Sequence, residues 1–503
     1  MKFLATAILG AGAAIAAVGA AAAADLPTKK APSAATPASS CFASFYDYLN
    51  ATPAECPLSY LGVTLYGQID AGGGYSSHGA ALNPAFAQGV AELISKSSKG
   101  GQWQLVPNGL SQSNVGIRLR EEVTPGWAIV GDVDTAFDPY SLEIANGPRS
   151  LVENNNLPIN LQSASSDSSR AGQWDNTRGF VGVSNSTFGT LTVGRQYALS
   201  NDLVTSYDPM GGAYAFSLIG NSSTYVAGTG DTEVARYNTS LKYQINVANF
   251  RAGAAWQFGG YAQGNGSNGA YQFDLGGDFA GFSIDGIYSH ATDAVALSTY
   301  NGVTTGSVGK IGLPAGVSDE DLKATLANID AGLVGVKYTN GPFKAFGGYE
   351  YAQFSNPTDA YPAGFSTLGD YNVLPGAVTS TAYTNNKILQ VAWVGAKYAI
   401  LSNLDVTGAY YYTWQNTYLA PGASAATACL PNTKTLNGYA LQGAANTYCS
   451  GDLQAVSGMV DWRPFKRLDV YAGVMYSAAS GGIASGYLNT DNVATTAGLR
   501  LSF

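Results

Sequence analysis

Along most of this chain, apolar and polar residues alternate with a period of two rather than 3.6. FGTLTVGRQY (188–197) and EVARYNTSLKYQ (233–244) are typical. In the second, Arg236, Asn238, Ser240, Lys242 and Gln244 share one face, and Tyr237, Thr239, Leu241 and Tyr243 share the other. Such segments are strands with one apolar and one polar face. The pattern predicts sixteen of them, at about 62–75, 112–122, 126–138, 177–184, 188–198, 233–245, 247–260, 269–280, 281–293, 330–340, 342–355, 388–400, 403–417, 451–464, 467–479 and 492–503. Most are long enough for a tilted strand to cross the hydrocarbon of a membrane.

The connections alternate in size. Those at 124–126, 184–187, 246–248, 280–281, 340–341, 401–402 and 464–466 are tight turns. Those at 76–111, 139–176, 199–232, 294–329, 356–387 and 418–450 are long. Short turns on one side and long loops on the other mark a bacterial outer-membrane barrel. Sixteen strands enclose an aqueous lumen rather than a packed core. The fold expected is therefore all-β, a transmembrane antiparallel barrel. Within the loop at 294–329, SDEDLKATLANID (318–330) predicts a short helix.

Composition agrees. Charged residues make up only 12%, while Gly and Tyr number 62 and 32, which suits two-faced strands and not a bundle of membrane helices. Gly, Asn, Ser or a charge interrupts every later apolar run, so a membrane would be crossed with strands. A net charge of −9 excludes nucleic acid as a partner, because phosphate binding needs clustered cations. Lys2, an apolar run to about Gly19 and Ala22-Ala23-Ala24 form an export signal over 1–24, with the mature chain expected from Asp25. Residues 25–61 are rich in Pro, Ala and Ser, with Lys29-Lys30, and read as a periplasmic extension before a barrel over 62–503.

Four cysteines allow three connectivities. The local pairs Cys41–Cys56 and Cys429–Cys449 are expected, because each brackets a loop-like segment of an exported chain. Metal binding is the weaker alternative, with only two histidines present. No metal or cofactor is expected.

The last strand, NVATTAGLRLSF, places Ala497, Leu499, Leu501 and Phe503 on one face. With VTLYGQIDAGGGY (63–75), NVGIRLREEVTPG (114–126), RGFVGVSNSTFGTLTVGRQY (178–197) and RYNTSLKYQ (236–244), it resembles the Gram-negative general porins. The resemblance implies a homotrimer of sixteen-stranded barrels, with Phe503 as an assembly signal and the third long loop, about 199–232, folded into each pore. The extension before Val63 and the long outer loops depart from that family, as does the lack of its acidic Pro-Glu-Phe type segment in the third loop.

Face parity sends charges to the lumen, since a charge against lipid at mid-depth costs about 2–4 kcal/mol. Val115, Ile117 and Leu119 face out, so Arg118 and Arg120 face in; Ile129 and Val133 place Asp132 and Asp134 inside. Arg195 shares parity with Leu191 and Val193, yet the GRQY match puts it in the pore wall, which a bulge at Gly194 would permit. The sharp reading is a transverse field, with Arg118, Arg120, Arg195, Arg236 and Lys242 basic and Asp202, Asp208, Asp132 and Asp134 acidic. The plainer reading makes some of these charges rim contacts or braces for the loop. FSLIG (216–220) reads as an apolar patch seating that loop, and Tyr75, Tyr243, Tyr338, Tyr349, Tyr351, Tyr410, Tyr412 and Trp462 fit interfacial girdles.

The function expected is an outer-membrane porin passing ions and small hydrophilic solutes, in contact with outer-membrane lipid and lipopolysaccharide. A substrate-specific porin is the alternative, as is a barrel enzyme or adhesin. Against an enzyme, only His78 and His290 are available, and neither GxSxG nor HExxH occurs.

Overall fold

The computed structural model describes residues 41–79, 92–95, 98, 100–140, 142, 177–220, 236–260, 267–299, 322–359, 367–368, 371–436 and 438–503. The chain divides into two units, Met1–Tyr48 and Leu49–Phe503. The described end of the first unit holds Ser44, whose hydroxyl bonds to Asp47, and the stacked rings of Phe42 and Tyr48. The export signal lies outside the described residues.

The second unit is a closed antiparallel barrel of sixteen strands. They are β1 Val63–Ser76, β2 Asn114–Thr124, β3 Trp127–Ala136, β4 Arg178–Asn185, β5 Gly189–Tyr197, β6 Arg236–Val247, β7 Phe250–Gln257, β8 Gly269–Phe279, β9 Phe282–Thr299, β10 Leu322–Asn340, β11 Phe343–Ser355, β12 Lys387–Leu401, β13 Leu404–Gln415, β14 Gly451–Phe465, β15 Leu468–Ala479 and β16 Asp491–Ser502. Each pairs with the next in chain order, and β1 closes on β16 from Gln68↔Ser502 to Ser76↔Ala494. Closure pairs the last edge, which matters because hydrocarbon offers no partner to a free N–H or C=O.

All sixteen expected strands are present, and three loop assignments are corrected. The stretch 318–330 is no helix from Leu322 onward; β10 begins there, and β9 extends with it to Thr299. Thr325 and Ala327 with Ile329 continue the strand alternation, and pairing to β9 overrides local helix propensity. The loop before β2 contains a strand, Gln102–Pro107, that pairs with the upper half of β1. The loop before β12 contains Tyr371–Thr379, which runs parallel to β10. The loop before β14 is stapled by Cys429–Cys449, and Cys41 and Cys56 are also disulfide-bonded.

Side chains sort by face. Aspartates, serines and threonines such as Asp405, Thr407, Thr413, Ser457 and Asp461 are buried on one face. Val394, Val456, Val460 and Leu275 stand exposed on the other. Exposed aromatics border that apolar band at two levels. Phe250, Phe282, Phe343, Tyr398 and Trp462 lie near the tight turns; Trp256, Phe273, Tyr288, Tyr349, Tyr410 and Tyr476 lie toward the long loops. This is the outward face of a membrane barrel with its two girdles. The second girdle runs from β7 to β15. From β16 through β5 the described residues at the same level include Val493, Ala71, Gly73, Val115, Val133, Val181 and Val193, with the aromatics Tyr75 and Trp103 near the end of β1.

An arginine at Val394 should therefore cost about 2–4 kcal/mol, and at Gln390, level with the second girdle, about 0–1. Urea unfolding in lipid vesicles would measure both; equal costs would contradict this placement of the apolar band.

Candidate functional site

The stretch that follows β5 is built to be held. The helix Leu199–Tyr207 buries Leu199, Ser200, Leu203, Val204 and Tyr207, which recur at helical spacing along one side. Ser200 exchanges hydrogen bonds with Gln272 of β8. The Tyr207 hydroxyl donates to Asp285 of β9 at 2.6 Å, and its carbonyl accepts from the Trp393 indole of β12 at 3.1 Å. Beyond the helix, Ala215 donates to the Gly109 carbonyl, and the Phe216 ring meets Tyr471 of β15 edge-on. Phe216, Leu218 and Ile219 are at most 1% exposed. The apolar patch at 216–220 is a seat, each such side chain contributing about 1.5–3 kcal/mol of burial.

Glycines in the strands make room for this segment. A Cβ on Gly335 would stand 2.6 Å from the Tyr207 ring, one on Gly395 would stand 2.5 Å from Pro209, and one on Gly473 would stand 2.6 Å from Phe216. None of these distances is tolerable to a real side chain, so the strands are cut back where the segment crosses them.

The other wall carries an interleaved column of arginine and tyrosine. Arg118 of β2 lies 4.6 Å from the Tyr66 ring centre of β1. Arg178 of β4 donates to the Tyr66 hydroxyl and to Asp134 of β3, both at 2.8 Å, and lies 4.9 Å from the Tyr197 ring. Arg236 of β6 lies 5.1 Å from the same ring. Asp132 accepts from Tyr66 at 2.5 Å and from Arg118 at 3.2 Å. Each cation–π contact adds about 0.5–1 kcal/mol, more where water is excluded. The column is thus fixed in position rather than free to sweep. Between Arg236 and Tyr197 on this side and Asn201, Thr205 and Gly212 on the other lies a cavity of about 280 Å³. A larger cavity of about 940 Å³ lies against the helix near the turn joining β8 to β9, lined by Asp202, Asp274, Asp278, Asp285, Arg251 and Lys337 among others.

The sequence-derived charges do not all meet there. Arg118 and Arg236, with Asp132 and Asp134, stand in the column. The register shifts between Gly194 (φ 133°) and Gln196, and Arg195 hydrogen-bonds to Asn238. Arg120 is set apart, its backbone bonded to Gly62 near the tight turns. Lys242 is 7% exposed and pairs with Asp202 at 2.5 Å, which makes this pair a brace between β6 and the helix.

Asp208 is corrected outright. It is only 2% exposed and points at the wall, accepting from the Tyr411 hydroxyl at 2.6 Å and the Gly212 N–H at 2.7 Å. These contacts hold the segment to the wall. Arg178, the centre of the column, was not singled out from sequence. Its position at the first residue of β4, after a long loop, hid the parity that revealed Arg118.

The family model for Gram-negative porin matches residues 10–388. The chain belongs to the Gram-negative porin family. No curated protein matches it in sequence. Among solved structures it is similar to an anion-selective porin from Comamonas acidovorans, at 14% identity and a TM-score of 0.52, over 88% of this chain and 99% of that one. It is also similar to a loop-deletion mutant of OmpT, an outer membrane protein of Vibrio cholerae, at 13% identity and a TM-score of 0.51 over the same shares. This porin forms a channel in the outer membrane.

Burial raises the Asp208 carboxyl above the usual range, against the lowering by Tyr411 and the nearby N–H groups. A carboxyl raised in the folded state stabilises it fully below the ordinary value of about 3.9, and that contribution is lost as pH rises through the raised value. The porin should therefore lose stability relative to Asp208→Asn as pH rises from about 4 through the raised value. Tyr411→Phe, which removes a donor from the buried carboxylate, should cost about 1–3 kcal/mol at neutral pH. Urea denaturation across the pH range checks both; a flat difference between wild type and Asp208→Asn would contradict the anchoring role.

Proposed function

We propose that residues 199–220 fold into the barrel and narrow its passage, leaving an opening between this segment and the arginine–tyrosine column. The observation that carries this reading is the 280 Å³ cavity with Arg236 and Tyr197 on one side and the helix on the other. Small hydrophilic solutes and ions diffuse through it, and no enzymatic step is involved. Three cations of the column, Arg118, Arg178 and Arg236, stand with two carboxylates, Asp132 and Asp134. The balance favours anions despite the chain's net charge of −9, because a low-dielectric wall focuses the local field at the narrowest point. The more acidic cavity below the helix is a wider antechamber and sets selectivity less.

The porin acts as a homotrimer, and the gap in the second girdle from β16 through β5 is the face where copies meet. Small and branched apolar side chains there suit close packing, whereas the girdled strands suit lipid and lipopolysaccharide. Residues 1–24 direct export, and 25–61 remain on the periplasmic side.

Purified porin in a planar bilayer under a KCl gradient should conduct in steps of three, with a reversal potential on the anion side. Arg178→Ala combined with Arg236→Ala should move that potential toward cations while conductance persists. Cation preference in the wild type would overturn the assigned field, and no conductance from folded protein would overturn the channel itself.

A further inference from the structure

β1 is longer than the strand that closes it. Its pairing with β16 starts at Gln68↔Ser502, and just below, Gly67 and Phe503 exchange backbone hydrogen bonds at 3.1 and 2.9 Å. Val63–Leu65 lies beyond the reach of that pairing. That edge is taken by Leu58–Tyr60, which folds back antiparallel with Leu58↔Leu65, Ser59↔Thr64 and Tyr60↔Val63. The turn between them uses Leu61 and Gly62 at positive φ, 48° and 75°.

The chain just before that strand is held by the turn joining β14 to β15. The Arg467 N–H donates to the Leu49 carbonyl at 3.3 Å. Its guanidinium donates to the carbonyls of Thr52 at 3.2 Å and Cys56 at 2.6 Å. Lys466 meets Glu55 at 2.9 Å; the Thr52 N–H donates to the Glu55 carboxylate at 2.8 Å and the Glu55 N–H to the Thr52 hydroxyl oxygen at 3.1 Å. Arg467 is 1% exposed. Its own carbonyl accepts from the Ser502 N–H at 2.9 Å, so one residue grips both the extension and the end of the last strand. A guanidinium this buried stays favourable only while its acceptors are in place.

We propose that residues 49–60 are a built-in latch for the barrel seam. They complete the wall beneath the final residue and tie the end of β16 to the turn between β14 and β15. Without them, β1 presents an open edge at the membrane boundary, where an unpaired strand recruits water, lipid or another chain. The latch makes the extension part of the barrel wall rather than a linker hung from it.

The test is amide hydrogen exchange on the full-length porin in detergent, followed by mass spectrometry. Arg467→Met should speed exchange across 58–67 and 500–503 by about tenfold or more, as expected when a network of charge-assisted bonds opens locally. Tyr60→Pro, which removes the backbone donor facing Val63 across the hairpin and leaves Arg467 intact, should open the same segments. Exchange in β9, β10 and β11 across the barrel should stay unchanged in both variants. Unaltered exchange at 63–67 and 500–503 in both, or an equal rise around the whole barrel, would overturn the latch.

Discussion

Closure of the sheet is the constraint on which the rest depends. A strand in hydrocarbon keeps its backbone only if both edges are paired, and β1 meeting β16 removes the last free edge. Once the sheet is closed, every residue must choose between lipid and lumen. That choice exposes Val394 and Val456 while it buries Asp405 and Thr413. The same constraint explains why the chain folds back before Val63. Pairing with β16 reaches Gly67, and the short strand Leu58–Tyr60 covers the edge of β1 beyond it.

A closed barrel of this size is open inside, so its passage is set by what occupies the lumen face. Two solutions of opposite character stand on the two sides. On one, glycines in β10, β12 and β15 are cut back to seat Tyr207, Pro209 and Phe216. On the other, arginines are held erect by tyrosine faces and by buried aspartates. The first side contributes cohesion, and the second sets arginines beside tyrosine rings and aspartates. Asp208 belongs to the first, although it is a charge, because its partners Tyr411 and Gly212 hold the segment down.

The sixteen strands were legible because alternation and turn length are local signals. Parity alone found Arg118, Asp132 and Asp134, since unbroken apolar runs flank them. It failed at Arg195, where the bulge beyond Gly194 inverts the count, and at Arg178, which has no strand residues before it. It also failed to separate Asp202 from Asp208. Six residues apart on one segment, they look alike in sequence; one braces against Lys242 and the other is buried against Tyr411 more than two hundred residues away. The short helix expected at 318–330 failed for a related reason: Leu322 onward pairs with β9, a partner distant in sequence. Contacts of this separation decide roles, and a local pattern does not contain them.

The most direct test of the central claim is current block by thiol modification. The four native cysteines are all disulfide-bonded, so a single added thiol reports alone. Thr205→Cys lies on the helix beside the narrow cavity, and Val456→Cys lies on the exposed apolar face of β14. A water-soluble anionic thiol reagent should reduce the current through the Thr205→Cys porin and leave the Val456→Cys porin untouched. Modification of Thr205→Cys with no change in current would mean that this segment does not border the conducting path.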